Sequence, residues 1–426
     1  MAELKRLTSQ QAMDLEDKYG AHNYHPLPVV LSKGEGVFVW DAEGKKYYDF
    51  LSAYSAVNQG HCHPRIVKAM TDQAQTLTLT SRAFYNDVLG QYEKYATETF
   101  HFDKLLPMNT GAEAVETALK LCRKWAYEVK GIPENKAEII VCENNFHGRT
   151  TTIISFSNDP VARENFGPFT NGFIKIEYDN LKALEDALTS SKNIAGFLVE
   201  PIQGEAGVYV PSDGYLAAAK ALCEKHNVLF IADEVQTGIA RTGRLLATCG
   251  NCTCSDKHCS GTPEIKPDML ILGKALSGGA YPVSAVLAND DVMGVIKPGN
   301  HGSTFGGNPI AAAISITALS VVKDEALANN AQELGELFRN ELSKYIETST
   351  IVNGVRGKGL LNAILINDTE ESSTAWDICI ALRDNGLLAK PTHGNIIRFA
   401  PPLVMNKEQL LDCVTIITKT LKQFEK

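Results

Sequence analysis

Two apolar runs in this 426-residue chain end close to charged residues of opposite sign, and together they open a route to covalent chemistry. In "LILGKALSGG" Lys274 follows an apolar run and a glycine, and in "FIADEVQTG" Asp233 closes another. Short apolar runs of this kind read as strands covered on both faces. In open α/β sheets the ligand crevice lies beyond the carboxyl ends of such strands. A lysine there loses hydration, its pKa falls, and it can act as a Schiff-base nucleophile. A carboxylate at the same depth needs a cation or several hydrogen bonds, and a protonated pyridine nitrogen would serve. A third stretch, "NTGAE", sets Thr110 and the amides of Gly111 and Ala112 at a helix start, where phosphate binds readily. Singly, each has an ordinary alternative: a solvated loop lysine, a turn acid, one helix start among many. Together they supply what pyridoxal phosphate requires, namely a phosphate cradle, an acid for the ring nitrogen and an amine for the aldehyde.

These residues need a scaffold, and the chain alternates amphipathic helix patterns with short apolar strands in the manner of βαβ units. In "GYLAAAKALCEKHNVLFIADEVQTG" the spacing puts Tyr215, Ala218, Ala219 and Leu222 on one helical face, and "VLFIA" follows as a strand. "TGAEAVETALKLCRKW" keeps Ala114, Ala118, Leu121 and Trp125 in helical phase, and "DNLKALEDAL" does the same with Leu181, Leu184 and Leu188. Beyond residue 310 come longer helices, the short "NIIRFAPP", and a last helix with Leu410, Val414, Ile417, Leu421 and Phe424 on one face. The expected fold is α/β, with a large domain on a mostly parallel central sheet flanked by helices and a smaller α+β domain. The expected division is 1–55 as an N-terminal segment packing with the small domain, 56–310 as the large cofactor-binding domain, and 311–426 as the C-terminal small domain.

Composition narrows the partners. With 44% hydrophobic and 21% charged residues the chain is an ordinary globular one. A net charge of −9 with scattered basic residues argues against nucleic acid or an anionic membrane as partner and leaves small molecules. The opening "MAELKRLTSQQAMDLEDKYG" lacks an apolar core segment, and "PIAAAISITALSVV" is too short to span a bilayer, so the expectation is a cytoplasmic protein. Of ten cysteines, Cys249, Cys252, Cys254 and Cys259 crowd with His258 into "TCGNCTCSDKHCSG", between Asp233 and Lys274. The spacing lacks the two separated C-x2-C knuckles of a zinc site, and a metal, a reversible disulfide and a solvated loop all stay open. "GHCHP" carries His61, Cys62 and His63, but neighbours on an extended segment face opposite ways and no metal is expected there.

The motifs "SAYSAVNQGHCHP", "MNTGAEA", "NNFHGRT", "VEPIQGEAGV", "ADEVQTGIARTGR", "LGKALSGGAYPVSAVLA" and "HGSTFGGNP" run nearly end to end and resemble the class III, fold-type I aminotransferases. "YGAHNYHPLP" and "THGNIIRFAPP" point to the ornithine-specific branch of that family. The resemblance implies an enzyme in which Lys274 bonds covalently to pyridoxal phosphate and moves the proton, while Asp233 pairs with the ring nitrogen. It assigns Gln236 to the ring hydroxyl, Phe146 to stacking on the ring, and Thr110, Gly111 and Ala112 to the phosphate. Ser303 and Thr304 are expected to reach the phosphate in the neighbouring subunit, which implies a homodimer with shared active sites.

For substrates the resemblance implies L-ornithine, whose δ-amino group passes to 2-oxoglutarate, giving glutamate 5-semialdehyde (which cyclises to pyrroline-5-carboxylate) and glutamate. Tyr24 would hold the α-amino end and Arg149 the carboxylate of ornithine. Arg398 would take the α-carboxylate of 2-oxoglutarate, with Glu205 masking it while ornithine is bound, and Tyr54 would line the same pocket. N-acetylornithine and 4-aminobutyrate are the rival substrates, and a metal- or redox-responsive binding protein on this scaffold is the reading from another class. One departure is His147, where the family more often has a bulky aromatic residue. A smaller, titratable ring there is expected to loosen the substrate channel or to change its preference.

Overall fold

Seven strands form the central sheet, in the spatial order Lys104–Met108, Ser284–Ala288, Met269–Leu272, Leu229–Asp233, Ile194–Val199, Glu138–Cys142, Phe173–Ile176. This computed structural model describes residues 4–250 and 265–425. Only Ser284–Ala288 runs against its neighbours in the sheet; the other pairings are parallel. The unbroken apolar runs have a direct cause. Ile139 and Val141 pack with the helix Gly111–Trp125 on one face, while Ile140 and Cys142 pack with Leu184, Leu216 and Ala219 of the helices on the other. Side chains alternate across a strand, so a sheet covered on both faces needs apolar residues at every position.

The helix Tyr215–Lys225 is rotated from its expected setting. Its buried residues are Tyr215, Leu216, Ala219 and Cys223, leaving Ala218 and Leu222 at the margin. With alanine at 217–219 contributing little area, Leu216 and Cys223 decide which stripe meets the sheet.

Two smaller sheets flank the large one. Leu31–Glu35, Phe38–Asp41 and Lys46–Asp49 are joined by Leu387–Leu388, which pairs in parallel with the third of them, so the N-terminal segment is knitted to the C-terminal part. Val352–Lys358, Leu361–Ile366, Ile396–Phe399 and Lys390–Thr392 form an antiparallel sheet that carries Arg398. Phe399 meets Phe50 and Phe338 edge to face, and Phe50 and Phe338 are tilted to each other, with ring centroids 5.7 to 6.1 Å apart. The helix Pro309–Asp324 lies across residue 310 and packs on Pro64–Thr76 and Leu89–Phe100. Arg241, fully buried, donates to Asn58 Oδ1 and to the carbonyls of Leu360 and Pro401, and so ties three distant segments together.

One turn near the site is conformationally costly. Ser52, Ala53, Tyr54 and Ser55 all have positive φ, at 47°, 46°, 59° and 71°. Left-handed backbone costs a non-glycine residue ~1–2 kcal/mol, and such strain persists only where the surroundings impose it. Here Asp49 accepts from the Leu51 and Ser52 amides through Oδ1 (2.8 and 2.9 Å) and contacts His61 Nε2 through Oδ2 (2.7 Å). The Ala53 side chain is exposed, so Ala53→Gly removes strain and little packing. Chemical denaturation should find that variant more stable by ~0.5–1 kcal/mol; a less stable variant would show that the turn is not strained.

Candidate active site

Beyond the carboxyl ends of the parallel strands lie two joined cavities. The inner one, about 190 Å³, is lined by Gly111, Ala112, Phe146, His147, Glu200, Asp233, Gln236 and Lys274, among others. The outer one, about 520 Å³, collects Tyr24, Tyr54, Arg149 and Arg398, and Phe146, Gly148 and Glu205 line both.

Asp233 is the last residue of its strand and is 5% exposed. Its Oδ1 accepts from the Val235 amide (3.0 Å), and its Oδ2 lies 2.6 Å from His147 Nδ1, which must donate because an ionised carboxylate only accepts. Lys274 lies on the next strand's continuation, and the ladder pairs Asp233 with Ile271 across the two strands. The lysine adopts φ 45°, a strained setting for a residue with a side chain. Burial, aided by the charge of Arg398, brings its amine down to about 8 against the opposing pull of Asp233, Glu205 and Glu200.

Gln236 sits in the turn after Asp233, and its buried Oε1 has no partner. A Cβ on Gly204 would lie 1.6 Å from that oxygen, so only glycine leaves room for the glutamine. Gly111 and Ala112 open the helix Gly111–Trp125. Thr110 is its N-cap, and its hydroxyl accepts from the Glu113 amide (3.2 Å) while the Glu113 carboxylate accepts from the Thr110 amide (2.9 Å). Thr110 stands beside the inner cavity rather than in its lining. Ser303 accepts from Asn109 Nδ2 (2.8 Å), and neither it nor Thr304 is among the residues lining these two cavities.

In the outer cavity two arginines differ in state. Arg398, 2% exposed, donates through Nη1 to Glu205 Oε2 (2.8 Å) and to the Gly204 carbonyl (3.2 Å), and its guanidinium lies 5.3 Å from the Tyr54 ring centroid. Burial would raise the Glu205 carboxyl, but the charge and hydrogen bond of Arg398 outweigh that and hold it below the usual range. Arg149 is exposed to the cavity, 5.8 Å from the Phe146 ring, and forms no ion pair among the described residues. Tyr24 is 64% exposed at the mouth.

One site residue escaped the sequence reading. Glu200, 7% exposed, follows the strand Ile194–Val199, accepts from the Phe146 amide (2.7 Å), and is pushed up to about 7, mainly by burial. The rule that marks Asp233 would have marked it in "GFLVEP". His147, 4% exposed, bonds to Asp233 and lines the inner cavity but not the outer one. A buried imidazole follows its hydrogen bond, and the carboxylate is on the inner side. His61 and His63 are likewise occupied, by Asp49 and Glu325, and no group of three or more metal-binding side chains occurs among the described residues. Of the cysteine cluster, Cys249 is buried in the core, whereas Cys252, Cys254, Cys259 and His258 lie outside the described residues. Glu234, 1% exposed, accepts from the Ala247 and Thr248 amides (3.0 and 2.9 Å) just before that stretch.

Pyridoxal phosphate fits these residues. The unpartnered Gln236 oxygen, the lysine with its lowered pKa, the strand-end acid and the helix start converge on one cavity. A side chain on Gly111 would meet Val235 Cγ1 at 2.9 Å, so the approach to the helix amides stays narrow and bare.

A lysine and an acid on adjacent strand ends, facing a phosphate cradle, mark a pyridoxal-phosphate transferase. The chain belongs to the class-III aminotransferases, whose family model matches residues 19–421. It is 62% identical over 413 residues to the mitochondrial ornithine aminotransferase of Drosophila ananassae, covering 97% of this chain and 91% of that one. The crystal structure of an acetylornithine aminotransferase from Elizabethkingia anophelis is also 62% identical, with a TM-score of 0.88 over 98% of this chain and 100% of that one. The ornithine aminotransferase of Toxoplasma gondii, in a structure with PLP at partial occupancy in its active site, is 49% identical with a TM-score of 0.92, covering 99% and 95%. No described helix is long and apolar enough to cross a membrane.

Proposed function

We propose that this aminotransferase moves the δ-amino group of L-ornithine to 2-oxoglutarate, releasing glutamate 5-semialdehyde and glutamate. The observation that carries the reading is the contrast between the two arginines, one buried and masked by Glu205, the other open at the outer cavity. A diamino acid that presents its distal amine places its carboxylate far from the chemistry, within reach of Arg149. A dicarboxylate that presents its α-carbon needs a cation near the chemistry, and Arg398 provides it once Glu205 swings away.

Bound, the cofactor supplies an aldehyde for the amine and a ring that withdraws electrons from the carbon losing its proton. The chain does the rest. Lys274 Nζ takes that proton and returns it on the other side of the transfer. Asp233, oriented by the Val235 amide and His147, would pair with the ring nitrogen. Phe146 would stack on the ring, Gln236 would bond its hydroxyl, and Thr110, Gly111 and Ala112 would hold the phosphate. Ser303 and Thr304 complete that phosphate site in the partner of a homodimer. Their absence from the linings of both cavities supports this part. The division at residues 55 and 310 and a cytoplasmic location belong to the same proposal, although the Drosophila relative is mitochondrial by name.

The Elizabethkingia relative favours N-acetylornithine as the second reading. Tyr24 separates them, because acetylation removes the α-ammonium that its hydroxyl would receive. Turnover with ornithine should exceed that with N-acetylornithine and with 4-aminobutyrate by at least tenfold, ~1.4 kcal/mol in the transition state. Faster turnover of either rival would replace the assignment.

A further inference from the structure

We infer that Trp376 is a positioning residue whose stack with His25 holds Tyr24 at the mouth of the outer cavity and so tunes the affinity for the diamino substrate. The inference rests on Tyr24 receiving the α-amino end of ornithine, as proposed above. Tyr24 belongs to a stretch, 21–30, that lies in neither helix nor strand, and residues 21–26 are all exposed. The helix before it, Ser9–Tyr19, is a poor anchor, because it has no buried residue and is tied to Glu43 at its first residue. Left to itself such a stretch would populate many conformations, and a ligand would bind only at the cost of ordering it.

The C-terminal part of the chain does the ordering. The His25 imidazole lies flat on the Trp376 indole, with ring centroids 4.5 Å apart and planes 13° from parallel. Lys390 Nζ donates to the His25 carbonyl (3.0 Å), and Arg383 Nη1 donates to the Pro28 carbonyl (3.2 Å). Tyr24 and His25 thus turn different ways, Tyr24 into the lining of the outer cavity and His25 onto the tryptophan. Core packing does not explain the tryptophan. The helix Thr374–Asp384 buries Ala375, Ile378, Cys379 and Leu382, and Trp376 stands partly exposed beside that stripe. The strand ladder pairs Lys390 with Arg398, so the clasp on His25 hangs from the same small sheet that presents the buried arginine. The two ends of the substrate pocket are therefore held by one body.

The test is single-turnover absorbance of the cofactor-loaded enzyme with ornithine and with glutamate. Trp376→Ala should raise the ornithine concentration that gives half the limiting rate about three- to tenfold, the worth of one aromatic stack. The limiting rate and the glutamate reaction should stay near wild type, since glutamate brings no amine to the mouth. Trp376→Phe keeps a ring under His25 and should recover most of the ornithine affinity. On a Tyr24→Phe background Trp376→Ala should add little, because both changes act on one contact. Equal losses with both substrates would reduce Trp376 to support of the fold and overturn the inference, as would full ornithine affinity in the alanine variant. If Tyr24→Phe alone leaves ornithine unaffected, the role of Tyr24 falls and the inference with it; a loss there beside an unaffected Trp376→Ala removes only the clasp.

Discussion

Lys274→Ala should abolish the visible absorbance of the lysine–cofactor adduct and lower turnover by about 10²–10⁴-fold, the usual worth of a positioned proton-transfer group. The amine is the residue in the inner cavity able to bond an aldehyde, and Asp233 and Gln236 stand opposite it in the same 190 Å³. Cofactor should still bind, because the helix start and Asp233 remain, and the absorbance should be that of the free aldehyde. Thermal stability should not fall, since a buried amine is a cost the alanine removes. The pH dependence follows from the sign of the shift. Burial and Arg398 lower the amine to about 8, so protonation below that pH removes the nucleophile. The rate at which unloaded protein takes up cofactor covalently should therefore rise with pH, level off above about 8, and show no second rise near the ordinary lysine range. Turnover or adduct absorbance surviving in the alanine variant would remove Lys274 from the chemistry.

The second large effect concerns the Arg398–Glu205 pair, where the two partners should give opposite phenotypes. Arg398→Gln removes a charged donor 2.8 Å from a carboxylate and worth ~1.5–3 kcal/mol to an acceptor. The KM for 2-oxoglutarate should rise about 10–100-fold, while a single turnover with ornithine stays within a few-fold of wild type. Glu205→Gln unmasks Arg398 instead. Reaction with glutamate, the reverse of the second half-reaction, should accelerate, and ornithine should begin to enter with its α-amine toward the cofactor. Single-turnover absorbance with each substrate reads both. A parallel loss of both half-reactions in both variants would mean that the pair only supports the fold, as breaking a buried pair can.

The fold and the cofactor residues were legible because they obey local rules. An apolar run followed by Asp233 or by Gly-Lys274 announces a covered strand and its crevice, and "NTGAE" announces a helix start. Glu200, which ends the apolar run of "GFLVEP", follows the same rule. Other features depend on distant segments. The bond between His147 and Asp233 joins a loop to a strand end 86 residues away, and nothing near "NNFHGRT" encodes which way the imidazole turns. The fit of Gln236 against Gly204 depends on two separate turns meeting. The left-handed turn at "SAYS" contains no glycine, so its backbone is imposed by Asp49 and the packing around it rather than by its own residues. The rotation of the helix Tyr215–Lys225 is similarly decided by the sheet beneath it.

The ladder between the strands Leu229–Asp233 and Met269–Leu272 matches Ile231 with Met269, Ala232 with Leu270 and Asp233 with Ile271. The spacing of the two reactive residues is thus set sideways, through backbone hydrogen bonds, and the number of residues joining them does not enter. Upstream, Glu234 fastens the chain at Ala247 and Thr248 before it departs. A substitution that breaks this ladder should therefore shift Asp233 relative to Lys274 even with both side chains intact.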